Sequence, residues 1–288
     1  MKFTVALAQI APALGDLKKN LELYKKAVDD ARKRGAGLIV FPELSLTGYF
    51  LKDMVPDVAQ RLDGEAMKEL CDLSRDISIV VGFVEESHDF RFFNSAAYLE
   101  DGKIAHVHRK VYLPTYGMFD EQRYFATGDH VRAFPSKLGR MGLLVCEDAW
   151  HLSCGSLLCM DEVEYVIVIS SSPGRGMSTP GKPGTADTWE RLIWTYAKFF
   201  GVYVLYSNRV GFEDGVNFWG GSAVVAPGGE VVARGSYQKE DLVAAPVDSE
   251  MIRRERISSP MLRDERIDVT LDELQRIKVA RVKESFGS

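Results

Sequence analysis

The 288-residue sequence has few of the features that mark secreted, membrane-spanning or disulfide-stapled proteins. Its four cysteines are too few for a disulfide framework in a chain of this length, so we expect free thiols in a reducing cytoplasm. No window approaches the roughly 18 consecutive apolar residues that a membrane-spanning helix needs. The opening, MKFTVALAQI, lacks the apolar core and cleavage site of a signal peptide and predicts a strand instead.

An excess of positive charge is also missing. The sequence has 36 Lys and Arg against 41 Asp and Glu, a formal net charge of −5, and the basic residues are scattered apart from a short cluster at Arg253, Arg254 and Arg256. Nucleic-acid binding requires a basic footprint, so we expect neither a nucleic acid nor a membrane as partner. The remaining composition, 46% apolar and 27% charged, is typical of a globular protein with a substantial core.

Apolar runs alternate with segments of helical periodicity along most of the chain. Asp16 can cap a helix that Gly35 ends, and turn residues predict hairpins around Glu100-Asp101-Gly102 and around residues 227–230. Further strands are predicted at 3–10, 38–41, 77–84, 141–145, 165–170, 202–207 and 242–246, and further helices at 65–75 and 185–200. This mixture of hairpins and crossover helices favours an α/β protein with mixed sheets.

No Pro/Gly-rich linker divides the chain, so we predict one domain over residues 1–265. The least regular stretch, Ser171–Gly184, has four Gly and three Pro and predicts a loop over a site. Residues 266–288 predict a helical tail after a polar stretch. Thr270 and Glu273 are placed to cap this helix at its start, and Leu271 and Leu274 share one of its faces.

Three polar residues each follow an apolar run: Glu43 after LIVFP, Lys110 after AHVHR and Cys146 after GLLV. Reactive groups in α/β proteins gather where strands end, because the backbone there is fixed while side chains reach a crevice. Taken singly, each residue has an ordinary alternative, either an inert buried thiol or half of an ion pair. Burying a carboxylate and an ammonium near a thiol is costly without a purpose, so the combination predicts a catalytic site.

The segments LIVFPELSLTGY (38–49), HRKVYLPTYGMFDE (108–121) and GLLVCEDAW (142–150) resemble the three motif regions of the nitrilase superfamily, the carbon–nitrogen hydrolases. The resemblance extends over about residues 1–265 and implies a four-layer α–β–β–α sandwich of two mixed sheets. It implies a catalytic triad of Glu43, Lys110 and Cys146, with Glu121 as a second glutamate that positions the lysine. It implies no metal or organic cofactor, and a homodimer or larger homo-oligomer with the tail at the interface.

On this resemblance, the reaction is hydrolysis of a small-molecule amide through a cysteine thioester. Glu43 accepts the thiol proton of Cys146, and Lys110 and the backbone N–H of Glu147 stabilise the oxyanion. Protonated Glu43 then assists departure of ammonia or an amine, and water hydrolyses the thioester. Because Cys146 precedes a predicted helix and lies near an ammonium, we expect its thiol pKa to be lowered.

The motif details point to the amidase and glutaminase branches, since Glu147 stands where true nitrilases usually carry tryptophan. The run KVYLPTYGMFDEQRYF (110–125) is most similar to the glutaminase domain of glutamine-dependent NAD synthetases. This similarity implies substrate contacts through Tyr116 and Ser172, and Glu147 and Trp150 are further candidates for the substrate pocket.

Two departures from that branch leave the substrate open. No glycine-rich ATP pyrophosphatase segment occurs in the sequence, so we expect that the chain is not itself an NAD synthetase. Ser178 stands where the branch has a basic residue, a contact that Arg175 or Lys182 could replace. An ω-amide or an N-carbamoyl compound therefore fits as well as glutamine.

Other functions and other sites remain open at this stage. The same thioester could serve an acyltransferase, and a catalytically silent homologue could serve as a binding module. His106 and His108 alternate along a predicted strand, and Cys154 and Cys159 lie close in sequence, but neither pair has further ligands at the spacing of a metal site. We therefore predict packed histidines and buried helix thiols.

Overall fold

The computed structural model describes residues 1–179 and 182–286. Its strands are β1 Lys2–Gln9, β2 Ala36–Val40, β3 Ser78–Glu86, β4 Phe92–Glu100, β5 Lys103–Arg109, β6 Ala133–Ser136, β7 Gly139–Val145, β8 Tyr165–Ser170, β9 Met177–Thr179, β10 Lys182–Pro183, β11 Tyr203–Asn208, β12 Val210–Glu213, β13 Val216–Trp219, β14 Ala223–Val225, β15 Val231–Arg234 and β16 Asp241–Asp248. Its α-helices are α1 Leu17–Lys33, α2 Val55–Val58, α3 Glu65–Leu73, α4 Glu147–Trp150, α5 Leu152–Met160, α6 Gly184–Phe200, α7 Ser249–Ser258 and α8 Ile267–Phe286.

Two six-stranded mixed sheets form the centre of the molecule. The first has the order β16-β1-β2-β3-β4-β5, and the second has the order β15-β14-β11-β8-β7-β6. In the first sheet β1, β2, β3 and β5 run in one direction, and β4 and β16 run against them. In the second sheet β7, β8 and β11 are parallel neighbours. The predicted mixed sheets are thus confirmed.

The core is divided into layers. Side chains from both sheets meet in a central cluster that includes Leu7, Val40, Leu143, Ile167 and Leu205. The outer face of the first sheet packs against α1 and α3, and the outer face of the second sheet packs against α5 and α6. The architecture is therefore the four-layer α–β–β–α sandwich that the motif resemblance implied.

Local sequence signals explain several of the element ends. The Asp16 side chain accepts a hydrogen bond from the Lys19 N–H at 3.0 Å and caps α1, and Gly35 follows the helix with a φ of 69°. Asp101 and Gly102 join β4 to β5 with φ angles of 51° and 76°, as a two-residue hairpin turn requires.

The carboxyl-terminal part of the chain differs from the predictions. The polar stretch after β16 contains α7, which Asp248 caps through the Glu250 N–H at 3.1 Å. Helix α8 begins at Ile267, and the Thr270 N–H already bonds to the Arg266 carbonyl at 3.1 Å, so the predicted capping box at Thr270 is wrong. Polar composition hid both helix starts, because neither presents a wide apolar stripe.

The predicted loop Ser171–Gly184 is partly a short hairpin of β9 and β10, and its residues 180 and 181 lie outside the described residues. The predicted boundary between residues 265 and 266 stays a prediction. Residues 287 and 288 of the predicted tail likewise lie outside the described part of the chain. In that described part, no helix combines the length and the apolar character that crossing a membrane requires.

Candidate active site

The site lies where strands of both sheets end. Because β2 and β5 run in the same direction, the residues that follow them, Glu43 and Lys110, meet at one edge of the first sheet. Cys146 directly follows β7 of the second sheet. Ser171, just after β8, donates its backbone N–H to Glu43 Oε2 at 2.7 Å and so joins the two sheets at this point.

Lys110 is shared between two carboxylates. Its Nζ lies 2.8 Å from Glu43 Oε1 and 2.7 Å from Glu121 Oε1. Lys110 and Glu43 are each 1% exposed and Glu121 is 5% exposed, so water screens these ion pairs little. The strand-end positions predicted that Glu43 and Lys110 lie together, the motif resemblance added Glu121, and the structure brings all three into direct contact.

Glu43 is fixed by its surroundings. The Asn94 side chain donates to Glu43 Oε1 at 2.9 Å, and the Ser171 hydroxyl donates to the Glu43 carbonyl at 2.8 Å. Gly82 on β3 makes this position possible, because a Cβ atom there would lie 2.2 Å from the Pro42 carbonyl oxygen and 2.9 Å from the Glu43 Cα. The backbone that carries the carboxylate thus packs directly onto β3.

Cys146 sits on a sharp turn between β7 and α4. Its φ of 46° and ψ of −97° are unusual for a residue with a side chain, and such strain is stored where the surrounding structure enforces it. The Cys146 N–H bonds to the Ile169 carbonyl at 2.8 Å, and the Ser170 hydroxyl donates to Sγ at 3.4 Å. The turn therefore presents the sulfur toward the end of β8.

The expectation of a lowered thiol pKa for Cys146 is wrong. Burial raises the pKa of Cys146 well above its usual value, and the negative charge of Glu43 adds to this effect. Lys110 and the Ser170 hydroxyl lower the pKa only in part. Helix α4 has four residues and supplies little helix-dipole field. The protonated form of the Cys146 thiol is therefore favoured in this site.

Lys110 keeps its positive charge although it is buried. Burial alone would lower the pKa of Lys110, but the carboxylates of Glu121 and Glu43 outweigh it and hold that pKa well above its usual value. Burial raises the pKa of Glu121, and the ammonium of Lys110 offsets this in part. Lys110 is therefore a permanent cation at neutral pH.

Asp148 ties the segment that follows β5 to the end of β7. Its Oδ1 accepts the backbone N–H groups of Val111 and Tyr112 at 3.0 Å each, and its Oδ2 accepts the Val145 N–H at 3.0 Å. The ring of His108 contacts the same Oδ2 at 2.8 Å. Sequence reasoning missed this role, although an aspartate at a strand-to-helix turn is a frequent backbone acceptor.

A second clamp holds Tyr49. The Tyr49 hydroxyl donates to Glu121 Oε1 at 2.5 Å. The buried carboxylate of Glu213 accepts the backbone N–H groups of Tyr49 and Phe50 at 2.8 and 2.7 Å and pairs with Arg209 at 2.7 Å. The Glu213 carboxylate of β12 therefore fixes the backbone that carries the phenol, and because it lies 164 residues from Tyr49, no local sequence pattern indicated this contact.

The predicted substrate contacts fall into two groups. Tyr116 donates its hydroxyl to the Glu147 carboxylate at 2.9 Å, and burial together with this carboxylate raises the pKa of Tyr116 to about 12. Arg175 lies over the Phe119 ring at 5.1 Å, and its positive charge lowers the pKa of Tyr116 in part. The first group therefore consists of Tyr116 and Glu147, with Phe119 and Arg175 close by.

The second group consists of Ser172 and Trp150, and Ser172 is buried. Its hydroxyl oxygen accepts the indole N–H groups of Trp189 at 2.9 Å and Trp219 at 3.2 Å, which leaves its own proton to donate. Trp150 is half-exposed and packs edge-on against Trp189, with ring centroids 5.5 Å apart.

The residues considered as metal ligands have other contacts. His106 stacks on Phe134 with ring centroids 4.2 Å apart, whereas His108 contacts Asp148. Cys154 and Cys159 are buried thiols of α5, as predicted. Within residues 1–179 and 182–286, no group of three or more His, Cys, Asp or Glu side chains is arranged to hold a metal ion.

Comparisons with known proteins agree with this geometry. Residues 4–256 match the Carbon-nitrogen hydrolase family. The Helicobacter pylori carbon-nitrogen hydrolase has 28% sequence identity to the chain and a TM-score of 0.85, with 95% of this chain and 99% of that one covered. The chain therefore belongs to the carbon–nitrogen hydrolases, a family of enzymes, as the motif resemblance predicted.

Individual relatives differ in their activities. The glutamine-dependent NAD(+) synthetase of Acinetobacter baylyi is 34% identical over 257 residues, which are 88% of this chain. The chain spans 46% of the length of that synthetase. The N-carbamoylputrescine amidase of Arabidopsis thaliana is 26% identical, with 88% of this chain and 89% of the relative covered.

Proposed function

We propose that the protein is an amidohydrolase that cleaves a small-molecule amide through a thioester on Cys146. The observation that carries this proposal is the single ammonium of Lys110 held between Glu43 and Glu121 beside a cysteine on a strained turn. A buried arrangement of this kind costs free energy, and active sites are where such costs are retained.

In the first half-reaction, Glu43 accepts the proton of Cys146 as Sγ attacks the amide carbonyl carbon. The raised thiol pKa favours transfer during the attack rather than a standing thiolate. The C=O bond becomes an oxyanion, which the Lys110 ammonium and the Glu147 backbone N–H stabilise. The tetrahedral intermediate then breaks its C–N bond, and the nitrogen takes the proton from Glu43 and leaves.

In the second half-reaction, Glu43 accepts a proton from water, and the resulting hydroxide attacks the thioester carbonyl. The C–S bond breaks, Cys146 recovers its proton and the acid is released. Glu121 positions Lys110 throughout, because its Oε1 receives the ammonium at 2.7 Å. A single carboxylate, that of Glu43, thus serves as the base in both half-reactions.

For the substrate we propose an amide at the end of a short polar chain, an ω-amide. Glu147, Tyr116 and the Ser172 proton supply polar contacts around the nucleophile, and Arg175 adds a cation at the same face. The names of the relatives support amides and N-carbamoyl compounds alike. An acyltransferase would use the same thioester with an amine in place of water.

The test is ammonia release from a panel of ω-amides, N-carbamoyl compounds and nitriles, measured without added amine. We expect the acid and ammonia in equal amounts, and Cys146→Ala should abolish the release while thermal unfolding changes little. Cys71→Ala, a half-buried cysteine on α3, is the matched control and should stay active. Turnover by Cys146→Ala would refute the proposal, and product formed only with added amine would make the protein an acyltransferase.

We further propose that α8 packs against a second copy of the chain. The part of α8 whose burial is described is exposed throughout, including Leu271 and Leu274, which share one face. On the body, α5 and α6 expose Leu157, Trp194 and Phe199. Apolar surface of this extent marks interfaces, and a symmetric dimer would cover both patches at once.

A further inference from the structure

The carboxyl end of β8 contacts both the proposed nucleophile and the proposed base. The Ile169 carbonyl accepts the Cys146 N–H at 2.8 Å, and the Ser170 hydroxyl donates to Cys146 Sγ at 3.4 Å. The next residue, Ser171, donates its backbone N–H to Glu43 Oε2 at 2.7 Å. Of these three residues of β8 and its end, Ser170 is the one whose side chain touches the reacting sulfur, and the two half-reactions leave this hydroxyl without a role.

The Ser170 hydroxyl is held in a fixed position. Ser170 is paired with Asn208 of β11, and its carbonyl accepts the Arg209 N–H at 3.1 Å. The residue has an exposed fraction of 0%, so water does not compete for its hydroxyl. A hydroxyl has one proton to donate, and here Cys146 Sγ receives it.

A donor at this position favours negative charge on the sulfur. A hydrogen bond to the charged form of a group stabilises that form, and bonds to ionised acceptors are the stronger ones. Lys110 and the Ser170 hydroxyl lower the pKa of Cys146, against burial and the carboxylates of Glu43 and Glu121, which raise it. Three phenols also lie within electrostatic range of this thiol, those of Tyr49, Tyr116 and Tyr206.

We propose that Ser170 is a further catalytic residue, whose hydroxyl stabilises the sulfur of Cys146 each time that sulfur gains negative charge. The inference rests on the proposed function. In the first half-reaction, charge develops on Sγ as Glu43 takes the thiol proton. In the second, the electron pair of the breaking C–S bond moves onto Sγ before Cys146 recovers its proton. Ser170 keeps its own proton in both steps, so it acts as a hydrogen-bond donor and as neither base nor nucleophile.

Alkylation of Cys146 tests this role without an amide substrate. Iodoacetamide reacts with the thiolate, Cys146 retains exposed surface, and peptide mass spectrometry gives its labelling rate at each pH. Ser170→Ala removes the donor, so its labelling profile should lie about 0.5–1 pH unit above that of the parent, which is about three- to tenfold slower labelling at a given pH. Ser78→Ala, at a buried serine where β3 begins, is the matched control and should label as the parent does.

A second pair of variants isolates the hydroxyl. Ser170→Thr and Ser170→Val have nearly the same shape and differ in one hydroxyl, so Ser170→Val should label more slowly than Ser170→Thr by the same factor. Thermal melts establish which variants are folded, and this pair decides the question if Ser170→Ala does not fold. Superimposed profiles of Ser170→Ala and the parent, or of the folded pair, would overturn the proposal.

Steady-state kinetics connects the contact to the reaction. In Ser170→Ala, kcat for the amide should fall about three- to tenfold while KM changes less than about twofold, because the hydroxyl contacts the sulfur and not the substrate. A shifted labelling profile with unchanged kcat would overturn the role in the reaction, as would a change in KM alone. If the profile shifts while neither protein hydrolyses any amide, the proposed function fails and the hydrogen bond to the sulfur stands.

Discussion

The His108 ring and the Asp148 carboxylate lie 2.8 Å apart, and both side chains are fully buried. Through its other contacts the same carboxylate anchors the backbone after Lys110 and the strand that ends at Cys146. Lys110 and Cys146 follow strands of different sheets, so this side chain is one of the links that set the distance between them.

Asp148→Asn should therefore shift Lys110 relative to Cys146. The amide keeps one acceptor oxygen, and at least one buried backbone N–H loses its partner at a cost of about 1–3 kcal/mol of unfolding free energy. A displacement of about 1 Å between reacting groups typically costs about a hundredfold in rate, and we expect kcat to fall by that order. Urea unfolding and steady-state kinetics measure both effects. Asp89→Asn, at the surface, is the control, and equal kinetics in the two variants would contradict the clamp.

Gly82→Ala should displace Glu43. The added Cβ would lie 2.2 Å from the Pro42 carbonyl oxygen, and because that contact is with backbone, the whole turn that carries Glu43 must move. We expect overpacking to cost about 1–3 kcal/mol in unfolding free energy. The loss of kcat/KM, expressed as a free energy, should be larger than this cost. Gly37→Ala on the neighbouring strand is the matched control, since its nearest atom would be 3.7 Å away. A fully active Gly82→Ala protein would show that the close approach is unimportant.

His106 should make stability depend on pH. Burial lowers the pKa of His106 from 6.5 to about 4, so the unfolded chain binds the proton more readily. The contribution of the neutral His106 ring to folding stability is fully present above about pH 6.5 and is lost as the pH falls through about 4. In His106→Phe the stacking on Phe134 remains and the titration disappears. Below about pH 6.5 the melting temperature of the parent should fall more steeply than that of His106→Phe, whereas above this pH the two should change in parallel. Parallel curves over the whole pH range would contradict the assignment.

Charges on the apolar face of α8 should dissociate the proposed dimer. Leu271→Glu combined with Leu274→Glu places two carboxylates on the face expected to be covered, whereas Val269→Glu changes a different face of the same helix. Sedimentation velocity should give a dimer or larger species for the parent and for Val269→Glu, and a monomer for the double variant. A monomeric parent protein would refute the proposal that α8 packs against a second copy of the chain.

The sequence predicted the strands and the long helices well because their signals are local. The apolar run of β8 and the Asp16 cap of α1 each lie within a few residues of the element they define. Helix α7 and the β12–β13 hairpin were not predicted, since one is polar and the other is short. In such segments tertiary contacts decide the structure.

The site was predictable in its reactive groups and not in their supports. Glu43, Lys110, Glu121 and Cys146 stand in recognisable motifs, whereas the groups that hold them are distant in sequence. Asn94 is 51 residues from Glu43, which it contacts, and Ser171 is 128 residues away. The thiol pKa was predicted in the wrong direction because burial, which outweighs the neighbouring ammonium, cannot be read from spacing.

The division of the site between the sheets bears on how the site is assembled. Glu43 and Lys110 follow strands of one sheet and Cys146 follows a strand of the other, so neither sheet alone carries both the proposed base and the proposed nucleophile. The three side chains therefore come together only when both sheets have formed and packed face to face, so the complete site depends on the whole sandwich and not on either sheet by itself.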